Sequence, residues 1–157
     1  MAMLQKTVEG KAEMKFTLSI DDVTDDFFSD TRLLGIMSAA KNYRFCWQLN
    51  SFLGYSFRLN RDIEIHLRKR DRSYFFPVYH HAVRNNFLQH YVYHNACDGE
   101  YLLPEFKHID FLWLMKGDCT EDKTCTEVIQ AIKSINGVQL VTELTNEKIK
   151  NKGHLVF

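Results

Sequence analysis

Residues 111–116, FLWLMK, set five large apolar side chains in succession, with Lys116 and Gly117 closing the run, and this is the most apolar stretch of the chain. A run this short cannot cross a bilayer, which takes about 18 apolar residues or more. A brief apolar run bounded by a breaker reads instead as a buried strand, expected here over Ile109–Lys116. Such a strand needs a domain around it. A chain of 157 residues can bury a sizeable core, and 12 Phe, 7 Tyr and 2 Trp supply its bulk. The expected organisation is a flexible tail over 1–13 and a single domain over 14–157.

Periodicity places the other elements. MKFTLSI, residues 14–20, alternates apolar and polar positions as a half-buried strand does. The acidic stretch DDVTDDFFSD reads as a solvated turn, since it lacks the spacing, glycine and closing glutamate of a calcium loop. From Thr31, the positions Leu33, Leu34, Ile36, Met37 and Ala40 follow helical spacing, pause at Lys41-Asn42, and resume through Phe45, Cys46, Leu49, Phe52 and Leu53 to a stop at Gly54. A helical pair is expected there. Strands follow near 62–68, 73–81 and 87–95, with turns at Asp71 and Asn85-Asn86, and Pro77 marks an edge or a bulge. Beyond Gly117 a helix with Cys125, Val128, Ile129 and Ile132 on one face runs to Gly137, capped at its start by Asp118 with Glu121, or by Thr120. A strand over GVQLVTEL and a short helix from Thr145 complete the chain. This order predicts an α+β fold: a single mixed, mainly antiparallel sheet with helices packed on one face, and a right-handed crossover at the C-terminal strand–helix–strand unit.

Charge and cysteine usage exclude several classes. Twenty basic and twenty acidic side chains cancel, so no global field recruits nucleic acid or an anionic membrane. Residues 41–90 nevertheless carry nine Lys or Arg against three acids. Cys46, Cys97, Cys119 and Cys125 are scattered, with none of the spacings of a zinc or redox motif. Reduced thiols in a cytoplasmic protein are expected, with no cofactor and no membrane association.

Two stretches carry a resemblance. Leu103-Pro104-Glu105, three residues, then Ile109-Asp110-Phe111 resembles the signature of the IPExxxVDY family of uncharacterised bacterial proteins, with Leu for Ile, Ile for Val and Phe for Tyr. Residues 33–54 are similar to that family's helical segment, through Tyr43, Arg44, Cys46, Trp47, Leu49 and Asn50, and the likeness runs from about residue 14 to the end. It implies no activity, cofactor or catalytic residue, and Phe111 removes the phenolic hydroxyl that the signature carries there.

Four groups of residues invite a chemical reading. Glu105 and Asp110 could form an acid/base pair, but in an extended strand they would lie on opposite faces about 17 Å apart at about 3.3 Å per residue. A turn at 106–108 would be needed to join them. The plainer expectation is that Pro104 rigidifies a loop, Glu105 accepts backbone donors, and Asp110 binds a neighbouring backbone group or an arginine. His81, His90 and His94 share one face if Asn85-Asn86 is a two-residue turn, because 81 then lies opposite 90; converging imidazoles can ligate zinc or iron, though no fourth ligand stands nearby. Arg58, Arg61, Arg68, Lys69, Arg70 and Arg72, near Tyr74, Phe75 and Phe76, could hold phosphates while bases stack on the rings, against the simpler reading of a charged hairpin. Cys46 could be activated by Arg44, or else be core with Trp47 as an interhelical anchor. The expected function is a non-enzymatic binding or regulatory module that uses an aromatic-rich sheet for a protein partner or for self-association. A nucleic-acid-associated protein is the alternative and a metal-dependent enzyme the third reading.

Overall fold

The computed structural model describes residues 21–40, 43–82, 87–117 and 121–157. The tail, the strand expected over 14–20, the Asn85-Asn86 turn and the Asn42, Asp118 and Thr120 caps lie outside them.

The first described element corrects the acidic turn: residues 21–28 are helical (α1). Asp21, Asp22, Asp25 and Asp26 recur with helical spacing on one exposed side, and this leaves Phe27 and Phe28 to be buried on the other. The second correction is larger. Residues Thr31–Ser38, expected as a helix, form strand β1 in the interior of the sheet. Both faces of β1 are covered, so Leu33, Leu34 and Ile36 can all be apolar without alternating, and the result imitates a helical pattern. Gly35 at its centre is a poor helix residue. A Cβ there would lie 3.1 Å from Ile109 Cδ1 and 3.2 Å from Leu144 Cδ1, so the missing side chain makes room for both.

Helix α2, Tyr43–Leu53, stands where it was expected and ends at Gly54 with φ of 76°. The two-residue strand β2, Arg58–Leu59, follows. Strands β3, Ile65–Lys69, and β4, Arg72–Phe76, form a separate two-stranded sheet whose turn holds Arg70 and Asp71 at φ of 49° and 63°. Both central residues of a tight right-twisted hairpin need positive φ. The strand expected over 73–81 is two strands: at Pro77, which has no N–H to donate, the chain leaves β4 and joins the main sheet as β5, Val78–Ala82. Next come β6, Gln89–His94, a small hairpin of β7, Ala96–Cys97, and β8, Glu100–Tyr101, a 3₁₀ turn over Pro104–Phe106, and β9, Phe111–Lys116. Helix α3, Asp122–Lys133, and strand β10, Val138–Leu144, complete the main architecture, and a 3₁₀ turn follows Thr145.

The α+β class stands. Six strands run in the order β10-β1-β9-β6-β5-β2, and every neighbouring pair among them is antiparallel. Since β9 and β10 flank β1, α3 carries the chain across that strand. Strand β9 explains the apolar run. Phe111, Trp113 and Met115 face the core under α2 and α3, with Phe45, Leu49, Val128 and Ile132, while Leu112 and Leu114 face a second core. That second core is closed by Phe27 and Phe28 of α1, by Ile65, Tyr74 and Phe76 of the β3–β4 hairpin, and by Leu155 near the C-terminus. Each fully buried side chain of this size stabilises by about 1.5–3 kcal/mol, so the central strand anchors both layers.

Candidate functional site

The segment before β9 is organised by a residue that the sequence reading passed over. Asn95 is 0% exposed. Its side-chain amide donates to the carbonyls of Phe106 (3.0 Å) and Ile109 (2.9 Å), and its Oδ1 accepts the Leu103 N–H at 2.9 Å. Its backbone N–H donates to Asp110 O, and its carbonyl accepts the Leu102 N–H. One asparagine thus holds the whole LPEFKHID turn, substituting for a strand partner where no regular pairing exists. The signal in sequence is only an asparagine at the end of an apolar strand.

Within this frame Glu105 and Asp110 engage different parts of the fold. Glu105 Oε1 accepts the N–H groups of Lys150 and Asn151, both at 3.0 Å, and Oε2 accepts Asn151 Nδ2–H at 2.7 Å. Burial pushes this carboxyl up, but the bonds from the Asn151 side chain and the surrounding backbone outweigh it and hold the group below its ordinary value. Asp110 Oδ2 accepts the Ser38 N–H at 2.9 Å, at the end of β1. Both carboxylates therefore accept backbone donors, Glu105 from the C-terminal segment as well as from its own backbone N–H in the turn. The 3₁₀ turn does bend the chain at 104–106, yet it sends the two groups to separate partners. Ile109 and Asp110 precede the strand, which begins at Phe111.

The hairpin register is as expected, with His81 opposite His90. These two rings lie 5.8 Å apart between centroids, in a cluster with Tyr55, Phe57 and Trp113. Their Nδ1 lone pairs are occupied: His81 Nδ1 accepts the Ser56 N–H, and His90 Nδ1 accepts Trp113 Nε1–H, each at 3.0 Å. Indole nitrogen only donates, so His90 is neutral with its proton on Nε2. Burial, then the neighbouring His81 and His80, lowers His90 to about 4, and burial with His80 lowers His81. His94 stacks on Phe111 farther along, where burial lowers it and Asp110 partly opposes that. The three histidines share a face without converging on a point, and no group of three His, Cys, Asp or Glu among the described residues is arranged to hold a metal.

The basic tract divides in three. Arg58 and Arg61 line an open groove of about 530 Å³ with Ser56, Asp62 and His80. A second groove of about 300 Å³ adjoins it through Leu59 and Arg61 and reaches Phe75. Phe75 is exposed and stacks on His66 at 4.6 Å. Arg68 and Arg70 stand exposed at the hairpin tip. The remaining cations are engaged: Lys69 pairs with Glu100 at 3.0 Å, and Arg72 sits 5.4 Å from the centroid of the Tyr74 ring. Asp62 and Glu64, in the two linings, offset much of the positive charge.

Helix α2 bears out Cys46 as a core residue and overturns Trp47 as an interhelical anchor. Its buried stripe is Phe45, Cys46 and Leu49. Burial pushes the Cys46 thiol up to about 12, so it is a core residue and not an activated nucleophile. Trp47 falls on the opposite side of that stripe and anchors no helix pair. It is 57% exposed, with Tyr43 at 73% and Phe52 at 66%. The Trp47 and Phe52 rings meet edge to face at 6.0 Å across the outside of the helix. Asn50 secures the base of the platform by donating to Phe57 O at 3.0 Å and accepting the Phe57 N–H at 2.8 Å. The aromatic-rich sheet, by contrast, is buried on both faces, with Trp113 and Tyr93 at 0% exposure.

Fold and site together define an α+β protein with a doubly covered antiparallel sheet and an aromatic platform on one of its helices. No model of a known protein family matches the chain, and no curated protein matches it. Among the described residues no helix is long and apolar enough to cross a membrane.

Proposed function

We propose that this chain is a non-enzymatic cytoplasmic binding or regulatory module that contacts a protein partner through the outward face of α2. The observation that carries this reading is the exposure of Tyr43, Trp47 and Phe52 on one helix. Large aromatics are the anchors of protein interfaces, because each removes much apolar area from water at small cost in side-chain entropy. The free thiols of Cys46, Cys97 and Cys125 support a reducing compartment. Membership of the IPExxxVDY family belongs to the same proposal. It is supported by the way Leu103, Pro104, Glu105, Ile109 and Asp110 act as one hydrogen-bonded unit around Asn95.

A nucleic-acid role through Arg58 and Arg61 has less support, since their groove also holds Asp62. Affinity capture with the wild-type chain and with Trp47→Asp, each checked for native circular dichroism, separates the readings. The expected result is a protein recovered by the wild type and lost with Trp47→Asp. Equal capture by both, or recovery of RNA that is lost instead with Arg58→Glu, would count against the α2 reading.

A further inference from the structure

We propose that the two adjoining grooves beside β2 form one binding site for a small phosphomonoester that carries a flat ring, the chemical class of a nucleoside monophosphate. Its phosphate lies between Arg58 and Arg61, and its ring lies against Phe75.

Alternation along the chain builds the first groove. Tyr55 and Phe57 turn to the core under α2, so Ser56, Arg58 and Asn60 fall on the opposite face. Arg58 pairs directly with His80 of β5, which puts both side chains on that face. Ser56 and Ala82, two positions away on either chain, are small, and the hollow opens over them. His80 is a fixed wall, because its ring stacks on Tyr91 at 4.5 Å and its Nε2 lies 2.6 Å from Gln89 Oε1. Arg61 joins the lining from a turn in which Ile63 N–H donates to Asn60 O at 3.3 Å and Asp62 N–H donates to Asn60 Oδ1 at 2.9 Å.

Charge selects the head of the ligand. Among the described residues, neither Arg58 nor Arg61 has an ion pair or a ring beneath it, in contrast to Lys69 and Arg72. A carboxylate has two oxygens, enough for one guanidinium fork; a phosphomonoester has three terminal oxygens and nearly two charges, enough for both. Asp62 and Glu64 select the size. A nucleic-acid strand meets these carboxylates with a further phosphate at every step, whereas a ligand with one phosphate at one end does not. Shape selects the body. The second groove shares Leu59, Asn60 and Arg61 with the first, so it begins at the arginine, and it reaches Pro77 and Phe75. Phe75 is 54% exposed and stacks on His66 with the ring planes 8° apart, a platform of the kind on which a base stacks. The two volumes, about 530 and 300 Å³, are of the size that small ligands occupy.

Isothermal titration of the full chain at low salt with adenosine 5′-monophosphate, inorganic phosphate and adenosine tests the proposal. The monophosphate is expected to bind at least about tenfold more tightly than phosphate or adenosine alone, since neither of these fills both grooves. Arg58→Gln and Arg61→Gln, at exposed positions, are each expected to weaken it about fivefold or more, and Phe75→Leu to reduce it to the level of phosphate. Circular dichroism checks that each variant is folded. No binding of the monophosphate at millimolar concentration, or binding that survives both arginine substitutions, overturns the proposal. Equal affinity for the monophosphate and for inorganic phosphate also overturns it, and leaves an unselective anion patch. Single-stranded RNA that binds more tightly than the monophosphate, and is lost with Arg68→Glu at the hairpin tip, overturns it in favour of a nucleic-acid surface.

Discussion

His90 shows how a residue type that reads as chemistry becomes structure. It is buried, its Nδ1 accepts the Trp113 indole proton at 3.0 Å, and Tyr55 and His81 enclose it. A metal at Nδ1 would have to displace the indole and leave a buried N–H without an acceptor. The same geometry gives a pH dependence with a definite sign. An unfolded histidine takes up its proton near 6.5 and the folded one only near 4, so between those values the unfolded state binds more protons. Stability is therefore full above about pH 6.5 and falls as the pH drops toward 4, by on the order of 3 kcal/mol for a shift of this size. Urea titrations between pH 4 and 7 are expected to show that loss. His90→Gln, which can keep an acceptor for Trp113, should flatten much of it, with the lowered His81 and His94 leaving a remainder of the same sign. An unchanged slope in His90→Gln would mean that the acid sensitivity lies elsewhere.

At the scale of elements, the outcome turns on junctions as much as on propensities. Gly117, between β9 and α3, has φ of 139°, and a Cβ on it would sit 2.1 Å from the Phe87 carbonyl oxygen. Both atoms that clash are fixed by backbone, so rotation of a side chain cannot relieve the overlap. Gly117→Ala is accordingly expected to cost more than about 2 kcal/mol. Gly54→Ala, with positive φ but open space around it, is expected to cost about 1 kcal/mol. Thermal melts of the two variants give the comparison. The glycine stop after β9 was legible in sequence, as were α2, α3, the Asp71 turn and the His81–His90 register, because each follows from periodicity or from turn chemistry. The identity of β1 was not: a strand covered on both faces loses its alternation, and Leu33, Leu34, Ile36 and Met37 then mimic a helix. The exposure of Trp47 was legible in principle, since Phe45, Cys46 and Leu49 define a stripe that excludes it. Expecting it to anchor a second helix depended on the misread β1. The roles of Asn50 and Asn95 could not be read in advance, because each replaces a missing backbone partner whose position exists only in three dimensions.

Across the whole molecule, the LPEFKHIDF stretch ties the C-terminal segment to the sheet. Glu105 holds Lys150 and Asn151, His154 Nδ1 lies 2.7 Å from Leu102 O, and Tyr93 Oη donates to Leu155 O at 2.8 Å. Residues 149–155 thereby lie over the core that Leu112 and Leu114 enter from β9. If Glu105 serves this clamp, Glu105→Ala should release the C-terminal segment and leave the sheet intact. The expected stability loss is about 1–3 kcal/mol, the range for removing hydrogen bonds to a charged acceptor. Amide exchange should quicken at Lys150, Asn151 and the turn that follows, with β9 and β1 unchanged apart from that global loss. Because the carboxylate lies below its ordinary value in the fold, its contribution is present above the unfolded carboxyl range and disappears as the pH falls through the folded value. The two titrations leave different marks: an Ala variant at 105 lowers the whole profile above the carboxyl range and flattens only its most acidic limb, and a Gln variant at 90 flattens the limb between about 4 and 6.5. Unchanged C-terminal exchange in Glu105→Ala would show that the clamp is held by Tyr93 and His154 alone, and would reopen the question of what the carboxylate is for.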